Sequence, residues 1–147
     1  MGFSVSGAAA IIFATMFITF GMWFTASSNS FEAVSEAENA QSDAALETQN
    51  TAISFADVTY NNTSEQLTVR VTNTGAAQLR VGATDLLVDG QYQTGWEETA
   101  TVAGTDTRLW LSGETLTINV TTSTEPTRVK IATENGVSVT TTEVALT

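Results

Sequence analysis

The chain has 147 residues, with 16 acidic side chains against 5 basic ones, a formal net charge of −11, and neither Cys nor His. The missing residue types exclude disulfides, zinc sites of the usual kind and His-based acid–base or triad chemistry, and the acid excess repels nucleic acid. Lys130 is the only lysine, and scarce lysine with abundant Thr and carboxylate points to a protein kept soluble in concentrated salt, as in a halophile.

Met1 to Phe31 carries no charged side chain, and Phe3 to Ala26 is apolar or small almost throughout. About 20 such residues cross a bilayer core as an α-helix, the element that satisfies its own backbone in lipid. The pattern predicts one transmembrane helix over residues 1–26. Gly2, Ser6, Ala10 and Ala14 recur every fourth position and form a stripe of small residues, the kind of face that lets a second membrane helix approach. Phe13, Phe17, Phe20 and Phe24 form a second, bulky stripe, and Trp23 and Phe24 suit the aromatic belt at a membrane–water interface. A cleaved signal peptide would need a basic start, and no Lys or Arg precedes Arg70, so the span is expected to stay on the mature protein. The opening Met1 to Ser6 formally fits an acylation pattern that a membrane helix makes redundant, and the absence of Cys excludes a lipoprotein anchor.

After the span roughly 120 residues remain, enough for one ordinary domain. Residues 27–49 contain no Pro or Gly and are rich in Ala and Glu, which are good helix formers. The helix is therefore expected to continue out of the bilayer to about Thr48 as an extracellular stalk, giving a combined length near ~70 Å. A weak 3.6-type spacing of Phe31, Val34, Ala37 or Glu38, Gln41, and Ala44 or Ala45 gives a thin stripe, made mostly of Ala, that suits packing against a partner or a bundle.

From Asn50 the apolar period becomes two, and residues 50–147 read as a β domain. Ile53, Phe55, Val58 and Tyr60 mark a first strand with a bulge at Ala56-Asp57, and Leu67, Val69 and Val71 a second, across an Asn61–Ser64 turn. Short strands are expected at Gln78–Gly82 and Asp85–Val88. Asp89-Gly90 is a two-residue hairpin signal that pairs Tyr92–Trp96 back. Thr107–Leu111, Thr115–Thr121 and Thr127–Thr133 follow, then Asn135-Gly136 as a second hairpin turn and Val137–Ala145 as the closing strand. Seven to nine short antiparallel strands predict an immunoglobulin-like β-sandwich with a core resting on Trp96, Trp110 and the aliphatics, with a small barrel as the alternative. The fold class is thus α+β: a long N-terminal transmembrane helix, then an all-β sandwich.

Chemistry is sparse. Asp85 with Asp89, and Glu97 with Glu98, are the nearest approach to paired carboxylates; Glu97 and Glu98 on a strand would face opposite ways, and neither pair has a companion base or nucleophile. No EF-hand spacing, phosphate loop or nucleophile elbow occurs, so no cofactor and no enzyme activity is expected. Asn61, Asn62 and Asn119 each sit in an Asn-X-Ser/Thr glycosylation pattern, which fits an extracellular domain. The Asp89-Gly90 and Asn135-Gly136 turns are candidate binding edges, since binding residues favour loops on a rigid scaffold.

The opening MGFSVSGAAAIIF, the junction QNTAISF, and the later RLWLSGETLTI and RVKIATENGV are similar to the haloarchaeal FlaF (ArlF) family of archaellum accessory proteins. The resemblance covers nearly the whole chain, and the opening and junction are its most specific parts. It implies a type IV pilin-like membrane helix with its N-terminus cytoplasmic and a β-sandwich outside, beneath the surface layer. It also implies a stator role, in which the domain is held against the surface-layer protein so that motor torque turns the filament and not the anchor. A FlaG-like archaellum protein is the implied partner, in a homo- or hetero-oligomer. The competing readings are an archaellin or pilin-type filament subunit and a generic membrane-anchored surface-layer module. Filament subunits normally carry a basic residue before a processing-site Gly, whereas Met1 and Ser6 precede Gly2 and Gly7 here.

Overall fold

A computed structural model describes residues 3–147, with side chains from Val5 onward. Contacts divide the chain into two compact units, the second being Ala44–Thr147.

Helix α1 runs Phe3–Asn50. From Val5 to Asp43 its side chains are exposed, with Ser27 half-buried. Its hydroxyls turn back on the helix's own carbonyls: Thr15 donates to Ile11 and Ile12, Thr19 to Thr15, Thr25 to Gly21 and Ser30 to Ala26, at 2.7–3.0 Å. Such back-bonding leaves the apolar stretch with few hydroxyls that need water.

The second unit is a β-sandwich. Its strands are β1 (Ile53–Asn61), β2 (Gln66–Asn73), β3 (Leu79–Arg80), β4 (Asp85–Val88), β5 (Gln91–Gln93), β6 (Thr101–Val102), β7 (Leu109–Trp110), β8 (Thr115–Thr121), β9 (Val129–Ala132), β10 (Ser138–Thr141) and β11 (Ala145–Leu146). One sheet has the order β11-β1-β2-β8-β6, a second β10-β9-β4-β5, and β3 pairs with β7 in a small third ladder. Inward positions alternate along the strands, so Leu67, Val69 and Val71 of β2 and Leu116 and Ile118 of β8 share one core with Leu86 and Val88 of β4 and Val129 and Ile131 of β9. Each such buried aliphatic contributes about 1.5–3 kcal/mol. Trp96 and Trp110 are the largest fully buried side chains. Trp110 Nε1 donates to the Glu114 carbonyl at 2.9 Å, while Trp96 Nε1 is buried with no hydrogen-bond partner among the described residues. The Tyr60 hydroxyl crosses to the Thr122 carbonyl at 3.0 Å and ties the end of β1 to the chain leaving β8.

Local signals map closely onto elements. The β1–β2 register slips between Phe55 and Asp57, at the expected bulge. Asp89 (φ 51°) and Gly90 (φ 83°) make the two-residue β4–β5 turn, both left-handed as a type I′ turn requires. Other expectations are corrected. Tyr92–Trp96 does not form one strand: pairing stops at Gln93, Gly95 turns left-handed, and Trp96–Glu98 is a short 3₁₀ turn that buries the indole. Glu97 and Glu98 therefore lie on that turn and not on a strand. Val137–Ala145 breaks into β10 on the second sheet and β11 on the first, where β11 runs parallel to β1. A chain that changes sheet at a sandwich edge meets the first strand from the direction in which it crosses, and that sets the parallel pairing. The β6 strand, beside β8, carried no sequence signal beyond two residues.

Candidate functional site

On the helix, Ser6, Ala10 and Ala14 are exposed on the apolar half, and Gly2 lies outside the described residues. Further along the helix the aromatic residues associate: Phe20 stacks with Phe24 at 6.5 Å between ring centroids and lies 6.0 Å from Trp23. Trp23 and Phe24 are exposed. With Phe13, Met16 and Phe17 they make a continuous apolar face of one helix, long and apolar enough to cross a membrane.

The end of the helix belongs to the sandwich unit, and it is bonded there in detail. The last carbonyls of a helix lack intrahelical donors. Thr51 answers two of them, its N–H donating to the Thr48 carbonyl at 3.2 Å and its hydroxyl to the Glu47 carbonyl at 2.7 Å. The Asn50 carbonyl accepts from the N–H groups of both Ala76 and Ala77, at 2.8 and 3.0 Å. In return the Ala52 carbonyl accepts from Thr74 and Gly75. Gly75 is required by this close approach: a Cβ there would collide with the backbone of Asn50 and Ala52. Buried Asn73 shapes the loop, donating to the Ala77 and Trp110 carbonyls and accepting from the Gly75 N–H.

Asn135, a candidate binding-edge residue, sits at the same junction. Its side-chain amide donates to Thr51 Oγ1 at 2.8 Å, and its carbonyl accepts from Thr48 Oγ1 at 3.1 Å. Gly136 is left-handed (φ 78°) and its N–H donates to the Thr133 carbonyl, within the five-residue loop of residues 133–137 between β9 and β10. The neighbouring Glu134 is ion-paired with Arg80, and that hydrogen bond holds the guanidinium proton more tightly than usual.

Asp89 is likewise occupied. Its Oδ1 accepts from the Thr127 N–H, the Thr127 hydroxyl and the Arg128 N–H at 2.7–3.0 Å, fastening the β4–β5 turn to the segment after Pro126. The Thr127 hydroxyl, helped by these N–H groups and the Arg128 charge, holds the Asp89 carboxyl below the usual carboxylate range. Gly90 is exposed beside it. Tyr92 faces Asp85, whose hydrogen bond and charge push the phenol above its usual range.

The acceptor asparagines differ in access. Asn62 is exposed on the β1–β2 turn. Asn61 caps that turn, its Oδ1 accepting from the N–H groups of Thr63 and Ser64 at 2.9 Å. Asn119 is half-buried on β8, accepting from the Thr68 hydroxyl. The sequence reading missed the helix-end bracket of Asn73, Gly75 and Thr51, whose only visible signal was the Asn-Thr-Gly turn itself.

No protein-family model matches the chain, and no curated protein matches it. Among solved structures it is similar to the archaellum periplasmic stator protein FlaG from Sulfolobus acidocaldarius, at 19% identity and a TM-score of 0.44, covering 62% of this chain and 97% of that one. It is also similar to the archaellum periplasmic stator complex of FlaF and FlaG from the same organism, at 17% identity and a TM-score of 0.43, covering 60% of this chain and 85% of that one. A third similar structure is the ligand-binding region of the serine-glutamate repeat protein A of Enterococcus faecium, at 12% identity and a TM-score of 0.34, covering 65% of this chain and 97% of that one.

Proposed function

We propose that the chain is a membrane-anchored stator component of the archaeal motility machinery, its helix crossing the cell membrane once and its β-sandwich tethered to the surface layer outside. The observation that carries this reading is the uncharged apolar half of α1, exposed from Val5 to Phe24 with its Thr hydroxyls bonded to its own carbonyls. Such a surface belongs in lipid or against another membrane helix. The junction motif QNTAISF, which carries the family resemblance, supports it further: Asn50 and Thr51 are the residues that bond the helix end into the sandwich. A tether bears load at that point, and backbone hydrogen bonds from Ala76 and Ala77 suit it.

The N-terminus is cytoplasmic and the β-domain external in this reading, a FlaG-like protein shares the membrane, and surface-layer protein is the distal partner. Protease added to cells stripped of their surface layer but otherwise intact should remove the β-domain and leave a membrane fragment ending within residues 27–49. Full protection of the β-domain reverses the topology and ends the tether reading.

A further inference from the structure

The sandwich treats its Asn-X-Ser/Thr patterns unequally. Asn61-Asn62-Thr63 and Asn62-Thr63-Ser64 overlap in the turn between β1 and β2, whereas Asn119-Val120-Thr121 lies within β8. The turn is built without the Asn62 side chain. Asn61 closes its start, its Oδ1 accepting from the N–H groups of Thr63 and Ser64 at 2.9 Å while the residue pairs with Gln66 in the β1–β2 ladder. Glu65 closes its end in a left-handed conformation (φ 53°), and its carbonyl accepts from the Thr122 N–H at 2.9 Å. Asn62, Thr63 and Ser64 stand exposed between these two anchors. The Asn62 amide and the Ser64 hydroxyl make no hydrogen bond among the described residues. Asn119 is placed otherwise. It is half-buried, accepts from the Thr68 hydroxyl at 2.9 Å and lies opposite Thr68 in the β2–β8 ladder, where Thr121 lies opposite Gln66.

We propose that Asn62 carries an N-linked oligosaccharide and that Asn61 and Asn119 do not. The inference rests on the external placement of the β-domain proposed above, because N-linked transfer takes place on the outer side of the membrane. In that transfer Asn62 Nδ2 bonds to the anomeric carbon of a lipid-phosphate-linked oligosaccharide. The anomeric C–O bond breaks, the lipid phosphate leaves with its electron pair, and the amide nitrogen gives one proton to a base of the transferase. The transferase reads the amide and the hydroxyl two residues on, and at Asn62 and Ser64 both groups are free. Presenting Asn61 instead means turning its amide out of the two hydrogen bonds that close the turn. Presenting Asn119 and Thr121 means drawing β8 out of its ladder with β2. The place of the turn suits a bulky, hydrated group. Strand β1 is nine residues long, about 30 Å at the usual strand rise. Its first residue follows the helix end, so the oligosaccharide stands at the far end of β1 from the bracket that Asn50 and Gly75 form and leaves those hydrogen bonds intact.

The test uses the full chain purified from the membranes of cells that make it. A Glu-specific protease releases residues 48–65, with Asn61 and Asn62, and residues 115–134, with Asn119. Mass spectrometry should find an oligosaccharide mass excess on the first fragment and none on the second, and electron-transfer fragmentation should place it on Asn62. Two single substitutions separate the overlapping patterns while keeping both asparagines. Ser64→Ala removes the pattern of Asn62 alone and should abolish the excess. Thr63→Val removes that of Asn61 alone and should retain it. Both positions are exposed, and retained far-ultraviolet dichroism checks the fold. A wild-type chain without the excess, an excess on Asn61 or Asn119, or one that survives Ser64→Ala overturns the proposal, and fragmentation of the wild-type chain decides it without the variants. Protease treatment of the same cells, stripped of their surface layer, tells the two readings apart. A bare chain whose β-domain is removed sinks the oligosaccharide and keeps the topology, whereas a bare chain with a protected β-domain sinks both.

Discussion

At the scale of single residues, the polar side chains of the sandwich hold turns and junctions in place. Asp89 gives the sharpest consequence. Its carboxyl titrates lower in the folded chain than the ~3.9 of an unfolded one, because Thr127 and Arg128 bind the charged form. Stability from Asp89 is therefore complete above the unfolded value and lost as pH falls through the folded one. Asp89→Asn keeps a residue tolerant of positive φ and removes the charge, so it should lower stability at neutral pH, and the two chains should converge in stability as pH falls through the folded value of Asp89. Denaturant midpoints of both chains between pH 2 and pH 7, followed by dichroism, check this; parallel curves would remove the carboxyl from the account. Gly75→Ala should destabilise the sandwich by about 2 kcal/mol or more, because the obstructing atoms are backbone and cannot rotate away. An unchanged urea midpoint would mean that the helix-end bracket is not held as described. Much at this scale was open to reading: Asp89-Gly90 announces its own turn, since few residues accept left-handed φ. Gly75 was not, because its need is a close approach to Asn50 and Ala52, more than twenty residues away in sequence, and a lone glycine in an Asn-Thr-Gly turn looks conformational. Asn135 was only half legible for the same reason: its turn chemistry is local, but its partners Thr48 and Thr51 are not.

At the scale of elements, period carried most of the information. The shift from one phase to the other between Phe55 and Val58 located the bulge in β1, and unbroken alternation located β2 and β8. Elements of two residues, such as β6 and β11, are too short to have a period, and their pairing is decided by where the sandwich leaves an open edge. The Val137–Ala145 stretch looked like one strand because Thr and Val continue through it, and only the second sheet's end at β10 explains the break. On α1 the small residues Ser6, Ala10 and Ala14 leave one side of the helix slender among exposed apolar neighbours. If that side receives a partner helix in the membrane, Ala14→Leu should reduce co-purification with a FlaG-like protein several-fold without reducing membrane insertion. Leu is as compatible with lipid as Ala, so the loss comes from closeness of packing. Unchanged co-purification would move the contact elsewhere.

At the scale of the whole molecule, charge and anchoring dominate. A net charge of −11 with a single lysine makes self-repulsion a standing cost to the compact state, relieved by counter-ions. The thermal midpoint of the full chain in micelles should rise steeply from low salt to molar KCl, and a flat profile would contradict adaptation to concentrated salt. The claim that everything else serves is that the β-sandwich anchors a motor. Deleting the chain in cells that carry it, and scoring filament assembly by electron microscopy beside swimming by tracking, tests that most directly. The account predicts cells that build filaments and cannot swim, with swimming restored by the full chain but not by one lacking residues 1–26. Normal swimming in the deletion strain would contradict it.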